Sequence, residues 1–326
     1  MQLGKDSKIV VFGGAGYIGS VLVPMLIEED FKVKVFDNML FGDCGVRAIK
    51  SSNSKNLEII EADICDTRSV SSAINGADAV ILLAGIIGHR VEDNGCKDTR
   101  SVNFLASTTV LDAALEHGVS RFIFSSTNSI YGLQNGLMYE TSIPEPVSLY
   151  SRLKLRMEER IINARNRSFH PTALRIATCH GASPRMRFDL VLNGMVRDAF
   201  CRKEITIDSP EKVRSLIHVK DAARAILACL NAHQNMLSGE IFNLGNSEQN
   251  LQLNQLANMV TTHLPETKVS MLDEEPDLTS YRLSCAKIEK LIGFKSEIDI
   301  NQSIKETIDL LKCLEHDPYS LRFNNT

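Results

Sequence analysis

Tyr150 and Lys154 stand four residues apart in a helix-patterned stretch, so both project from one face. A phenol ordinarily titrates at about 10, and a neighbouring ammonium favours its phenolate. Such a pair can take the proton of a secondary alcohol while hydride leaves the same carbon. Thr127, just past an apolar run, supplies a hydroxyl to orient the alcohol oxygen. A Tyr-x-x-x-Lys spacing alone is common on surface helices. Its weight here comes from a second set of residues, near the start of the chain, suited to holding a hydride acceptor.

That set is Gly13-Gly14-Ala15-Gly16-Tyr17-Ile18-Gly19, between a buried apolar run (Lys8–Phe12) and an amphipathic segment, followed by a second apolar run (31–36) that ends at Asp37. Gly13 permits a sharp turn off the strand, Gly16 has no Cβ to block a pyrophosphate, and Gly19 lets the helix lie close on the sheet. The helix start then offers free N–H groups and a positive dipole end to the phosphates, with Tyr17 and Ile18 in the cradle. Asp37 can accept both hydroxyls of an adenosine ribose and would repel a 2′-phosphate. Asn38 and Met39 supply no cation for one, so the pattern predicts NAD rather than NADP. Further along, Asp63 and Ile64 suit an adenine amino group and ring face, with Asp63 also able to cap the helix expected over 67–75. Leu83, Ala84 and Gly85 leave room for a ribose, and Asn103 is expected to pin backbone near the nicotinamide.

These residues need elements to position them. Strands are expected at Lys8–Phe12, 31–36, Leu57–Glu61, 79–83, 121–125, 172–176 and Glu240–Leu244. Helices alternate with them, notably 101–117, with Val102, Leu105, Thr109, Ala113 and Leu115 as its apolar stripe, and 144–166, which carries Tyr150 and Lys154. The alternation predicts an α/β fold, a Rossmann-like doubly wound parallel sheet. The alternation breaks over 179–215 and 247–326, where short helices, a small strand (Glu204–Ile207) and an acidic turn at 273–277 stand. The expected organisation is a dinucleotide-binding domain over 1–178 and 216–246 and a smaller, discontinuous substrate lobe over 179–215 and 247–326. The crevice between them would be the substrate site.

Composition narrows the classes. The chain has 326 residues, 44% hydrophobic and 23% charged, and a net charge of −4, as expected of a soluble globular protein with no pull toward nucleic acid. Its apolar runs are of strand length and its start is polar, so no membrane span or leader is expected, and a cytoplasmic location is. Eight cysteines include no Cys-x-x-Cys pair, which points to reduced thiols and no metal site.

Together, Gly13-x-x-Gly16-x-x-Gly19, Asp37, Asp63-Ile64, Leu83-Ala84-Gly85, Ser125-Ser126-Thr127, Tyr150-x-x-x-Lys154 and Arg214-x-x-x-His218-Val219 resemble the extended short-chain dehydrogenases/reductases of the NAD-dependent epimerase/dehydratase family. The resemblance covers about 8–308. It implies NAD as cofactor, a nucleotide-activated sugar as substrate (GDP-, dTDP- or UDP-linked), Thr127, Tyr150 and Lys154 as the catalytic set, and Arg214 on the nucleotide diphosphate. It also implies a homodimer through a four-helix bundle of 101–117 and 148–165. The chain departs from the family where dehydratases carry Asp-Glu after the Thr: Asn128-Ser129 stand here, and neither can move the protons that expel water. Thr178 takes the position of a substrate-binding Asn, and only Arg282 follows the acidic turn where an arginine clamp is common. Thr127-Asn128-Ser129 and Ser183-Pro184-Arg185-Met186-Arg187 resemble a branch with GDP-heptose 4-dehydrogenases and other surface-polysaccharide 4-oxidoreductases. Arg185 and Arg187 would meet the sugar's diphosphate and Asn193 the nucleotide, with Asn128 beside the sugar. The expected function is therefore NAD-dependent oxidation or reduction at C4 of a nucleotide sugar in glycoconjugate biosynthesis, with 4-epimerisation as the alternative. A 4,6-dehydratase or a non-enzymatic NAD-binding protein fits less well, because Thr127, Tyr150 and Lys154 are all retained.

Overall fold

The computed structural model describes residues 3–50, 55–87, 98–272 and 280–325. Seven parallel strands form the central sheet, in the spatial order Glu240–Leu244, His170–Ile176, Arg121–Thr127, Ala79–Leu82, Lys8–Phe12, Lys32–Asp37 and Leu57–Glu61. The expected Rossmann-like, doubly wound α/β fold is what forms. Strand side chains alternate between two cores. Ile9, Val11, Val33, Val35 and Ile81 enter one; Val10, Phe12, Phe36, Val80 and Leu82 enter the other. Burial on both faces explains why these strands read as continuous apolar runs. The strand order reverses around Lys8–Phe12, which opens a crevice at the carboxyl ends of the strands.

The first core also takes in Leu192, Val196, Leu256, Ile288, Ile304 and Phe323, from the helices and tail of the later chain. Smaller sheets accompany these helices. One is Asn250–Gln252, Val213–His218 and Thr178–His180; another pairs Lys268–Met271 with Glu204–Ile207; the third pairs Ser280–Leu283 with Asn135–Met138. The acidic turn expected at 273–277 falls outside the described residues. Among the described residues no helix is long and apolar enough to cross a membrane, and no group of His, Cys, Asp and Glu is set to hold a metal. Of the seven described cysteines, all free, Cys179, Cys229 and Cys285 are buried and Cys201 and Cys313 are exposed.

Three elements differ from expectation. The helix bearing Tyr150 begins at Leu149, not 144. Pro144 and Pro146 favour extended backbone before it, and Ser148 caps it: its Oγ accepts the Ser151 N–H at 3.1 Å while Ser151 Oγ accepts the Ser148 N–H at 3.2 Å. The cap of Thr67–Ile74 is Asp66, not Asp63; Asp63 instead accepts the Cys65 N–H at 2.8 Å. Finally, the 101–117 helix opens as a π-helical stretch, Ser101–Ala106, before the α-helical Ser107–Glu116. The wider turns shift the buried face to Val102, Ala106, Val110 and Ala114, leaving the expected stripe members Leu105 and Leu115 exposed.

Candidate active site

A cleft of about 920 Å³ runs along the carboxyl ends of the central strands, at the upper end of the usual size for small-molecule sites. The glycine turn forms one wall. Gly13 has φ +80°, and a Cβ on it would lie 2.6 Å from the Ala84 nitrogen. A Cβ on Gly19 would lie 2.5 Å from the Gly13 carbonyl oxygen, so this glycine packs the helix start against the turn itself. Gly16, Tyr17 and Ile18 continue the wall. Tyr17 turns its ring inward, where its hydroxyl donates to the Gly181 carbonyl at 2.7 Å.

Asp37 ends the second strand as expected. Its carboxylate accepts the Ala15 N–H and the Met39 N–H, both at 3.0 Å, which fixes its orientation toward the cleft. Burial pushes its pKa up, partly countered by these N–H groups and by the Arg185 guanidinium. Asn38, Asp63 and Ile64 line the same end, and Leu83, Ala84 and Gly85 follow toward the middle. Asn103 does not line the cleft. It is buried behind it and pins Ile86 from both sides, its Oδ1 accepting the Ile86 N–H at 2.8 Å and its Nδ2 donating to the Ile86 carbonyl at 2.7 Å. This is the backbone-pinning position expected for it.

Thr127, Asn128, Tyr150, Lys154, Thr178 and Arg187 meet at the other end. Thr127 Oγ1 accepts the Ser129 N–H at 3.1 Å, which leaves its hydroxyl proton for a bond to Tyr150. Lys154 is buried, its Nζ donating to the Ser125 carbonyl at 2.7 Å and lying 4.7 Å from the Phe124 ring centre. Burial lowers its pKa from 10.5 to about 7. The Tyr150 phenol is pushed up to about 12, again by burial, with Arg187 and the Thr127 hydrogen bond acting against it. The sequence led us to expect Lys154 to lower the phenol. The ammonium is committed to the Ser125 carbonyl instead, and Arg187 is the cation that acts on Tyr150.

Three residues expected on the substrate do not line the described cleft. Asn193 is fully buried and spent on protein groups: it accepts the Gly181 N–H at 2.9 Å and donates to the Arg187 carbonyl at 2.9 Å and the Tyr17 hydroxyl at 3.1 Å. Arg214 lies one layer behind, near Tyr281, whose hydroxyl donates to the Asn128 carbonyl at 2.7 Å. Arg282 is exposed on the strand beside it. Arg185 lines the cleft, with Arg187, Asp189 and Asp37 as its charged neighbours. His180 and His218 are buried with rings edge-on at 5.4 Å, and Arg175 pairs with Glu158 at 2.8 Å.

The stretch 9–245 matches the sequence model of the NAD dependent epimerase/dehydratase family. The chain belongs to this family. It is 26% identical over 315 residues to the putative UDP-glucose 4-epimerase of Methanocaldococcus jannaschii, an alignment covering 93% of this chain and 98% of that one. Its fold matches the solved UDP-glucose 4-epimerase of Thermotoga maritima with UDP-glucose at a TM-score of 0.80 and 25% identity, over 94% of this chain and 99% of that one. The UDP-glucuronic acid 4-epimerase of Bacillus cereus in complex with UDP-glucuronic acid and NAD shares the fold at a TM-score of 0.83 and 24% identity, over 94% and 99%.

NAD is the family's cofactor, and the cleft fits it: a wall of glycine backbone for the pyrophosphate and an oriented Asp37 carboxylate for the adenosine ribose. Sequence reasoning missed Phe41, Asp189 and Asn325. Phe41 stacks on Arg185, Asp189 holds Arg187, and Asn325 reaches the cleft from the chain's far end. Only the Arg187-x-Asp189 spacing carried a local signal; the other two depend on where the tail and a loop come to rest.

Proposed function

We propose that this enzyme is a 4-epimerase of a UDP-linked sugar. Two lines favour this over net C4 oxidation or reduction. The near full-length relatives named above bear 4-epimerase names, and the two arginines that pointed to the 4-oxidoreductase branch are engaged by protein groups, Arg187 by Asp189 and Arg185 by Asn325 and Phe41. The observation that carries the reading is the reacting end itself: Tyr150 with Thr127 and Lys154, followed by Asn128 and Ser129 where a dehydratase needs acids.

When bound, NAD supplies the acceptor and donor of hydride. Tyr150 takes the proton of the C4 hydroxyl and returns it after the ketone presents its other face, so proton and hydride balance over the cycle. Thr127 holds the C4 oxygen against the phenol. Lys154, fixed by Ser125, faces the backbone of Gly85 and is placed for the hydroxyls of the nicotinamide ribose. Arg187, neutralised by Asp189, and Thr178 approach the sugar nucleotide. Assembly as a homodimer is part of this proposal, since Leu105 and Leu149 stay exposed on the two helices that would form the bundle; sedimentation at micromolar concentration tests it.

With catalytic NAD, UDP-glucose, UDP-galactose and UDP-glucuronic acid should each be tried, with GDP- and dTDP-sugars alongside. The expected result is C4 inversion of a UDP-sugar in both directions, seen by proton NMR, without accumulating absorbance at 340 nm. Stoichiometric absorbance with release of a ketosugar would instead establish the 4-oxidoreductase.

A further inference from the structure

Arg185 is buried (3% exposed) yet lines the cleft, with its Cζ 4.0 Å from the Phe41 ring centre. Its Nη2 donates to the Asn325 side-chain oxygen at 2.5 Å, a neutral acceptor, and its Nε has no hydrogen-bond partner. Among the described residues no carboxylate lies within ion-pair distance of it. Asp37 and Asp189 act on it only from beyond that distance, so its burial is incompletely offset, and a bound anion would relieve it. The position says which anion. Two residues earlier, Ser183 Oγ donates to the Tyr17 carbonyl at 2.7 Å and meets Ser20 Oγ at 3.0 Å, pinning this turn onto the start of the Gly19–Glu28 helix. Helix N–H groups and guanidinium therefore converge from two sides on the same stretch of cleft.

The tail holds this arrangement. The Phe323 carbonyl accepts the Phe188 N–H at 2.8 Å, and the two rings meet at 5.9 Å. Asn324 takes a bond from Arg197 at 3.1 Å, and Arg322 reaches Asp43 at 3.4 Å. Asn325 is thus delivered to the guanidinium by anchors on both sides of the cleft.

We propose that Arg185 binds the pyrophosphate of the dinucleotide, not the sugar's diphosphate, and that residues 323–325 are part of the cofactor site, a latch in which Asn325 orients the guanidinium. The assignment holds whichever sugar reacts, so it is tested without one. On nucleotide-free protein, titration calorimetry with NAD and with ADP-ribose should show Arg185→Gln weakening both by about 10- to 100-fold, with a shallower salt dependence. Asn325→Ala should weaken both by about two- to tenfold. UDP affinity should not change in either. Wild-type affinity of Arg185→Gln for NAD and ADP-ribose overturns the assignment, as does a loss confined to UDP. If melting shows Arg185→Gln unfolded, Asn325→Ala decides: unchanged NAD binding in a protein that melts like its parent removes the latch. Inactivity toward every UDP-sugar would leave these titrations untouched and would count against the epimerase alone.

Discussion

Lys154 holds an ammonium where burial disfavours charge, and the consequence is a pH dependence of stability. Its pKa falls from 10.5 to about 7 in the folded chain. Between those values the unfolded chain binds more protons than the folded one, so this lysine makes stability rise with pH across the window. Its unfavourable contribution is complete below about pH 7 and gone above 10.5. Lys154→Met, which keeps the stem and removes the charge, should therefore stabilise the cofactor-free protein most at pH 6 and least at pH 10, in urea unfolding at each pH. Equal gains at both would contradict the assignment. For Tyr150→Phe we expect turnover about 10²- to 10⁴-fold lower with NAD affinity nearly unchanged, since the proton carrier goes and the cradle stays. The residues of this site were legible because motif and element coincide: Gly13 to Gly19 at a strand end, Asp37 at the next, Tyr150 and Lys154 on one helix. The state of the pair was not legible. A spacing shows that two side chains share a face, but not that the ammonium is spent on a carbonyl of another strand.

At the scale of elements, the helix Leu149–Asn163 must be held still for its two functional side chains to be useful. Glu158 on that helix and Arg175 on the neighbouring strand form a buried bidentate pair, 2.8 and 3.2 Å on one oxygen, and Arg175 also donates to the Tyr131 hydroxyl at 2.8 Å. Glu158→Ala strands a buried guanidinium and should cost about 3–5 kcal/mol in urea unfolding. A loss under about 1 kcal/mol would mean the pair is a surface-like contact. The glycine turn is similarly intolerant. Gly13→Ala sets a methyl against the Ala84 backbone and should lose roughly 1–3 kcal/mol by overpacking alone, together with most NAD binding. Strand positions were readable from sequence because two-sided burial leaves unbroken apolar runs. The burial face of the 101–117 helix was misread because a π-helical opening shifts the stripe, and periodicity taken at 3.6 residues carries no sign of that.

Across the whole molecule, the cleft is assembled from distant pieces: glycine turn, Arg121–Thr127 strand end, the Leu149–Asn163 helix, the 178–190 stretch and the tail. Arg185 meets Phe41 and Asn325 in it, residues far apart along the chain, which no local pattern could foretell. We propose that the segments 179–215 and 247–326 act as one lobe closing on the sheet, as expected from sequence; the shared core of Leu192, Leu256 and Ile304 with Ile9 and Val11 supports their close packing. By mass action, saturating NAD at a hundred times its Kd should raise stability by about 2.7 kcal/mol, read as a higher Tm. The central claim, that one carbon is oxidised and re-reduced within one closed cleft, has a direct test. The UDP-sugar that turns over, deuterated at C4, should give its C4 epimer with the deuterium kept at C4, by NMR and mass spectrometry. Loss of the label to solvent or to free nucleotide would contradict it.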